Sequence, residues 1–364
     1  MSFVYVANFG GSNVSVIDTK VNRLISNILV NPSPLATILS PNGQFGYVLN
    51  AGNPGNVTVI DTKDHRIVAT IQVGSLSFTT LPTKPMMITH DGQWIYVANN
   101  DSNNVTVIDT KDYRVIATVQ VNDTPLFTAI TPDDQYVYII NSSFNMVLTS
   151  ITVIETKRHQ VISTIRVGVT PANIGITPDG QFAYVCNFNS DNVSVIDIKT
   201  NQVIATILVG SGPFDLEITA DGQYVYVVNS QRFGISGGNT VSVIETKTNQ
   251  VISTVEVDSE PIALGITSDN RYVYVANSQS TSGSGGNTVS VIEIKTNQVI
   301  STVEVGSEPI ALGITSDNRY VYVANSQLAS GSGGNTVSVI ETKTNQVIST
   351  VGVGSAPVAM SITP

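Results

Sequence analysis

The chain has 364 residues, 41 % of them hydrophobic and only 12 % charged, with a formal net charge of −10. That balance implies a large core under a surface of Ser, Thr, Asn and Gln. It excludes a nucleic-acid partner, which needs clustered, uncompensated Lys and Arg. The single cysteine, Cys186, allows no intrachain disulfide. The opening MSFVYVANFG has neither the basic stretch nor the long apolar run of a signal peptide, and no apolar run approaches the ~18 residues that span a membrane. A cytoplasmic protein is expected, or a cell-surface one if a leader has been removed.

In chain order the first element is FVYVAN, residues 3–8, followed by VSVID at 14–18, a turn, and a third apolar run that ends at Val30. A fourth run begins at Pro34 and leads through Pro41-Asn42-Gly43-Gln44 to a second tyrosine phrase. The cycle then repeats. Its Tyr-Val-x-Asn phrases carry Tyr5, Tyr47, Tyr96, Tyr138, Tyr184, Tyr226, Tyr274 and Tyr322, spaced by 42, 49, 42, 46, 42, 48 and 48 residues. Each unit holds four short runs of Val, Ile, Thr and Tyr bounded by Gly, Asn, Asp and Pro, which are strand and turn signals. No window has helical apolar spacing with caps, so helix content should be near zero. Four strands per ~45 residues, repeated, is the signature of a propeller blade.

Tyr224-Val225-Tyr226-Val227-Val228-Asn229 is apolar at both parities, as a strand covered on both faces must be. The run from Gln250 to Val257 alternates and reads as an outermost strand. The chain ends on a fourth-type run, 357–363, that has no blade of its own, and its first three runs, 3–30, lack one. Pairing them gives an all-β, single eight-bladed β-propeller with four antiparallel strands per blade and no open inner edge. The expected blades are 357–364 with 1–30, then 34–73, 83–121, 125–167, 171–209, 213–257, 261–305 and 309–353. Units 239–286 and 287–334 differ only at Thr246/Ile294, Asp258/Gly306, Ser280/Leu328 and Thr281/Ala329, the mark of a recent duplication.

The phrases Tyr96-Val97-Ala98-Asn99, Val105-Thr106-Val107-Ile108-Asp109 and Ile176-Thr177-Pro178-Asp179-Gly180 resemble the YVTN β-propeller repeat family, and the resemblance covers essentially the whole chain. It implies that the Pro-x-x-x-x-Ile-Thr run is innermost, the tyrosine run second, the Val-Ile-Asp run third and the Ile-x-Val-Gly run outermost. The family is similar to surface-layer-associated proteins and, more distantly, to propeller lactonases. It implies a fold and leaves function to be argued from the site.

Inner-to-second and third-to-outer turns are short and nearly constant, whereas second-to-third loops and blade connectors vary. Residues 76–84 extend one connector; 144–150, 232–239, 278–287 and 326–335 extend loops. Loops on a rigid scaffold are where binding is built. Ser/Gly tracts at 282–286 and 330–334 are flexible by composition and form either an adaptable rim or slack in a duplicated loop. Arg232, Phe233 and Ile235 offer contacts in the neighbouring loop. Asp215 and Glu217 on one inner strand, with Glu260 and Glu308 in connectors, form an acidic sector. Convergent carboxylates of this kind bind a hard cation such as calcium, with Asp215 and Glu217 the candidate ligands; the alternative is solvated charge. Eight lysines, Lys20, Lys63, Lys111, Lys157, Lys199, Lys247, Lys295 and Lys343, recur in the third-to-outer turn, each two residues after Asp or Glu and so locally compensated.

His65, His90 and His159 sit in turns of different blades, with no metal-ligand spacing. With no helix expected, there is no strand-to-helix turn for a Gly-x-Ser-x-Gly elbow and no Gly-rich phosphate loop before a helix. Cys186 stands where other repeats have alanine and reads as a small buried residue, Trp94 as core. Asn13, Asn56, Asn104 and Asn192 open Asn-x-Ser/Thr triplets but belong to strand starts. No residue is assigned a catalytic role. The expectation is a monomeric, non-enzymatic scaffold that presents its variable loops to a protein, peptide or glycan. The alternative is a lactonase-like or metal-dependent hydrolase using the acidic sector.

Overall fold

A computed structural model describes residues 2–77, 84–122, 124–142, 149–230, 238–278, 287–326 and 334–364. These residues form an eight-bladed β-propeller of eight four-stranded antiparallel sheets, each ordered inner, second, third, outer. Two short 3₁₀ turns, Phe9–Gly11 and Phe188–Ser190, are the helical content of the described residues.

Two compact units each hold four blades. One comprises Met1–Arg166 with Val353–Pro364. Its first sheet joins the last strand of the chain, Pro357–Ile362, to Phe3–Asn8, Asn13–Asp18 and Arg23–Leu29. Val4 pairs with Ile362 and Val6 with Met360. Beyond the strands, Phe3 N–H donates to Thr363 Oγ1 at 2.7 Å and Phe9 N–H to Ala356 O at 2.8 Å. The predicted closure is therefore a continuous set of backbone bonds. Its other inner strands are Pro34–Leu39, Met86–Ile88 and Pro125–Ile130; Met86–Ile88 has three residues where the other two have six. The second unit, Val167–Gly352, carries inner strands Pro171–Ile176, Pro213–Ile218, Pro261–Ile266 and Pro309–Ile314.

Every second strand is buried on both faces. Tyr5, Tyr47, Tyr96, Tyr138, Tyr184, Tyr226, Tyr274 and Tyr322 are among the largest fully buried side chains. The core is a series of between-blade layers: Tyr226, Val228, Val241 and Val243 of one blade pack on Leu264, Val273, Val275 and Ile292 of the next. The terminal asparagine of each second strand is also buried, and its amide reaches the third strand. Asn187 Nδ2 donates to Asn192 Oδ1 at 2.8 Å and to Ser194 Oγ at 2.9 Å, and Asn229 Nδ2 to Thr240 and Ser242 hydroxyls at 2.9 Å. This is why the Asn of the tyrosine phrase is followed by a Ser or Thr in the next strand: the buried Nδ2 donor needs an acceptor.

The outer strands depart from simple alternation. Each carries a bulge, as where Val195 pairs with Ala205 but Ile196 with Val203. The extra residue there is Ile204, 51 % exposed beside buried Ile207. Ile25, Val68, Ile116, Ile162, Ile252, Ile300 and Ile348 occupy the same place in the other blades. A bulge twists an exposed edge and makes it a poor template for pairing with another chain.

Candidate binding surfaces

The two ends of the blades differ in construction. Five residues separate every described inner strand from its second strand within a blade, for example Ile176 from Phe182 and Ile266 from Tyr272. Four separate every third strand from its outer strand, for example Asp197 from Gln202. Their geometry repeats: Thr177 Oγ1 donates to Asp179 Oδ1 at 2.6 Å, Asp179 accepts from Gln181 N–H at 3.0 Å, and Gly180 takes φ of +70°. The connections that vary in length leave the opposite strand ends. Of the extended segments, 78–83, 143–148, 231–237, 279–286 and 327–333 lie outside the described residues. Arg232, Phe233, Ile235 and the Ser/Gly tracts, apart from Gly334, therefore lie outside them too.

Third-to-outer turns are fastened to the preceding blade. Tyr184 Oη donates to Asn249 Oδ1 at 2.8 Å, Tyr226 to Asn297 at 2.7 Å and Tyr274 to Asn345 at 2.9 Å. At two turns of the first unit histidine stands in this place: Tyr5 Oη lies 2.9 Å from His65 Nδ1 and Tyr96 Oη 2.9 Å from His159 Nδ1. The acceptor residue has φ between +52° and +58° in all five cases, a left-handed conformation for which Asn and His are enriched. Burial pushes Tyr184 up to about 12, with the Asp179 charge adding to it, and it lowers His65 and His159 below the ordinary histidine value. Phe3 and Trp94 meet the two imidazoles edge-on at 5.0 Å. The third histidine, His90, pairs with Asp134 at 2.7 Å, a clasp between neighbouring inner-to-second turns. Sequence reading missed these latches because donor and acceptor stand 60 to 71 residues apart.

Asp215 and Glu217 are two apart on Pro213–Ile218, both half-buried. Asp215 Oδ1 accepts from the Asn173 amide and from Leu216 N–H at 3.0 Å, and Oδ2 from Leu264 N–H at 3.0 Å. Glu217 Oε2 accepts from Ile266 N–H at 3.0 Å. The pair thus ties three consecutive inner strands together and caps the edge of the next one. Beside it, burial raises the Cys186 thiol well above its usual value, and the Asp215 charge adds to it. The other members of the acidic sector have backbone roles in connectors. Glu260 is buried, with φ of +50°, and its carbonyl accepts from Ser278 N–H at 2.9 Å; Glu308, with φ of +51°, accepts from Ser326 N–H at 3.0 Å. Among the described residues no group of three or more His, Cys, Asp and Glu is placed to hold a metal ion, and no helix is long and apolar enough to cross a membrane.

Repeated blades with latched turns, a continuous closing sheet and polar side chains bonded into the frame define a β-propeller of the YVTN-repeat type. The chain belongs to the YNCE-like beta-propeller family, whose model matches residues 79–363. No curated protein matches it. Among solved structures it is similar to Kuenenia stuttgartiensis hydrazine synthase, 22 % identical with a TM-score of 0.65 over 85 % of this chain and 95 % of that one. It is also similar to the dihydro-heme d1 dehydrogenase NirN in complex with DHE, 14 % identical, TM-score 0.76, over 97 % and 73 %. A functionally unknown protein from Desulfotomaculum acetoxidans DSM 771 gives 14 %, 0.63, and 99 % and 98 %. At these identities the likeness is one of fold.

Proposed function

We propose that this propeller is a monomeric, non-enzymatic binding scaffold that presents its second-to-third loops and blade connectors to a protein, peptide or glycan. One observation carries the reading: turns at one end of the strands keep a single length in every described blade, whereas at the other end second-to-third loops run from four to ten residues and one blade connector, between Gln72 and Met86, is extended. A rigid frame with variation confined to one set of loops is how binding surfaces are built on repeats. The alternative, a hydrolase or calcium site at Asp215 and Glu217, needs carboxylates available to substrate or ion. Their bonds to Leu264 and Ile266 N–H favour a structural role instead.

The test compares the whole chain with a variant in which residues 282–286 and 330–334 are deleted. Both are applied to glycan and peptide arrays, and both are assayed against lactones and phosphoesters with and without divalent cations. Saturable binding lost in the variant at an unchanged melting temperature supports the scaffold. Saturable turnover by the unaltered chain overturns it.

A further inference from the structure

Two inner strands of the second unit have the same sequence, PIALGI, at Pro261–Ile266 and Pro309–Ile314, yet different surroundings. In each, pairing with the second strand alternates. Thr267 N–H donates to Tyr272 O and Thr315 N–H to Tyr320 O, both at 3.0 Å. Counting back along the antiparallel ladder places Gly265 and Ala263, and likewise Gly313 and Ala311, on bonded pairs. Leu264 and Ile266 N–H, and their copies Leu312 and Ile314 N–H, therefore point away from the sheet.

The first pair of donors meets Asp215 Oδ2 and Glu217 Oε2 of the preceding inner strand. The second pair faces the corresponding positions one blade on, and these are Ala263 and Gly265. Neither has a side-chain acceptor, and Leu312 and Ile314 N–H have no acceptor among the described residues. Burial follows the chemistry: Leu264 is 4 % exposed and Gly265 buried, whereas Leu312 and Gly313 are half-buried. The molecule thus contains the same donor pair twice, once capped by two carboxylates and once uncapped.

We propose that the edge at Leu312 and Ile314 binds an extended acidic peptide whose carboxylates are two residues apart, Asp-x-Glu, taking the part that Asp215 and Glu217 play one blade earlier. Two charge-assisted bonds from backbone N–H recognise the carboxylates. The net charge of −10 opposes an acidic ligand, so binding rests on the short-range amide bonds and is weak, about millimolar. This site is separate from the loops of the scaffold reading, and the loop-deletion variant tests that reading without touching this one.

The experiment is a titration of the ¹⁵N-labelled whole chain, followed by amide resonances, with N-acetyl Asp-Ala-Glu amide and with Asn-Ala-Gln as control. The expected result is saturable movement of the Leu312 and Ile314 amides with the acidic peptide alone. Ala263→Asp places a carboxylate opposite Leu312 as Asp215 stands opposite Leu264, and it abolishes the Leu312 response. Independently of any variant, amide hydrogen exchange at Leu312 and Ile314 slows several-fold with the acidic peptide and not with the control. No movement at tens of millimolar peptide, equal movement with the control, unchanged exchange, or an undiminished response in a folded Ala263→Asp protein overturns the proposal.

Discussion

At the residue scale the tyrosine hydroxyls show how one polar atom per blade is used. Burial removes each hydroxyl from water, and a buried hydroxyl needs a partner; for Tyr5, Tyr96, Tyr184, Tyr226 and Tyr274 the turn of the next blade supplies it. Where that partner is His65 or His159, the latch depends on pH. Neutral imidazole Nδ1 can accept the tyrosine O–H, whereas a protonated ring can only donate, so the hydroxyl must turn round and a charge is placed in a half-buried site. Burial lowers both histidines in the folded chain, while Asp64 and Asp61 partly oppose the shift at His65. A folded value below the unfolded one means that the stability is complete above the ordinary histidine range, about 6.5, and is lost as pH falls through it. The double substitution His65→Asn and His159→Asn installs the acceptor used elsewhere in the chain. Melting temperature followed from pH 7.5 down to pH 5 should fall less for the variant than for the unaltered protein; identical profiles would show that the latches do not titrate.

At the element scale the outer strands separate two isoleucines of one run. Ile204 is the extra residue of the bulge and 51 % exposed, whereas Ile207 is 6 % exposed and packs with Val193, Val195 and Leu216. Ile207→Ala should cost about 2–4 kcal/mol in chemical denaturation, and Ile204→Ala should stay within about 0.5 kcal/mol. Comparable costs at both sites would mean that the bulge does not set burial. The same run shows the limit of pattern reading: period-2 alternation predicts opposite faces for neighbours, and one inserted residue resets the parity.

At the scale of the whole molecule, the last strand completes the first sheet. Deleting residues 357–364 removes the partner of Phe3–Asn8 together with the bond from Phe3 N–H to Thr363, and it leaves a second strand with a bare edge. Differential scanning calorimetry should record a fall of well over ten degrees; an unchanged transition would refute the structural role of this strand. The bonds of Asp215 and Glu217 are made to backbone and to Asn173. Chelation with EDTA should therefore leave the melting temperature unmoved, and a marked drop would restore the calcium reading.

Strand types, the order of the four runs in a blade, the count of eight and the pairing of the two termini all follow from the sequence alone. They depend on local alternation, on turn chemistry and on a repeat that displays itself eight times. The candidate carboxylates Asp215 and Glu217 could also be named from it, because two acids on an apolar strand are costly and conspicuous. Their partners could not. Leu264 and Ile266 contribute only backbone N–H groups, which every residue carries and no side-chain pattern reveals. The Tyr–His and Tyr–Asn latches, the parity reset in each outer strand and the difference between two identical PIALGI strands were decided by tertiary structure. In each case the deciding group is supplied by a neighbouring strand or blade, distant in sequence, and is brought into reach only by packing.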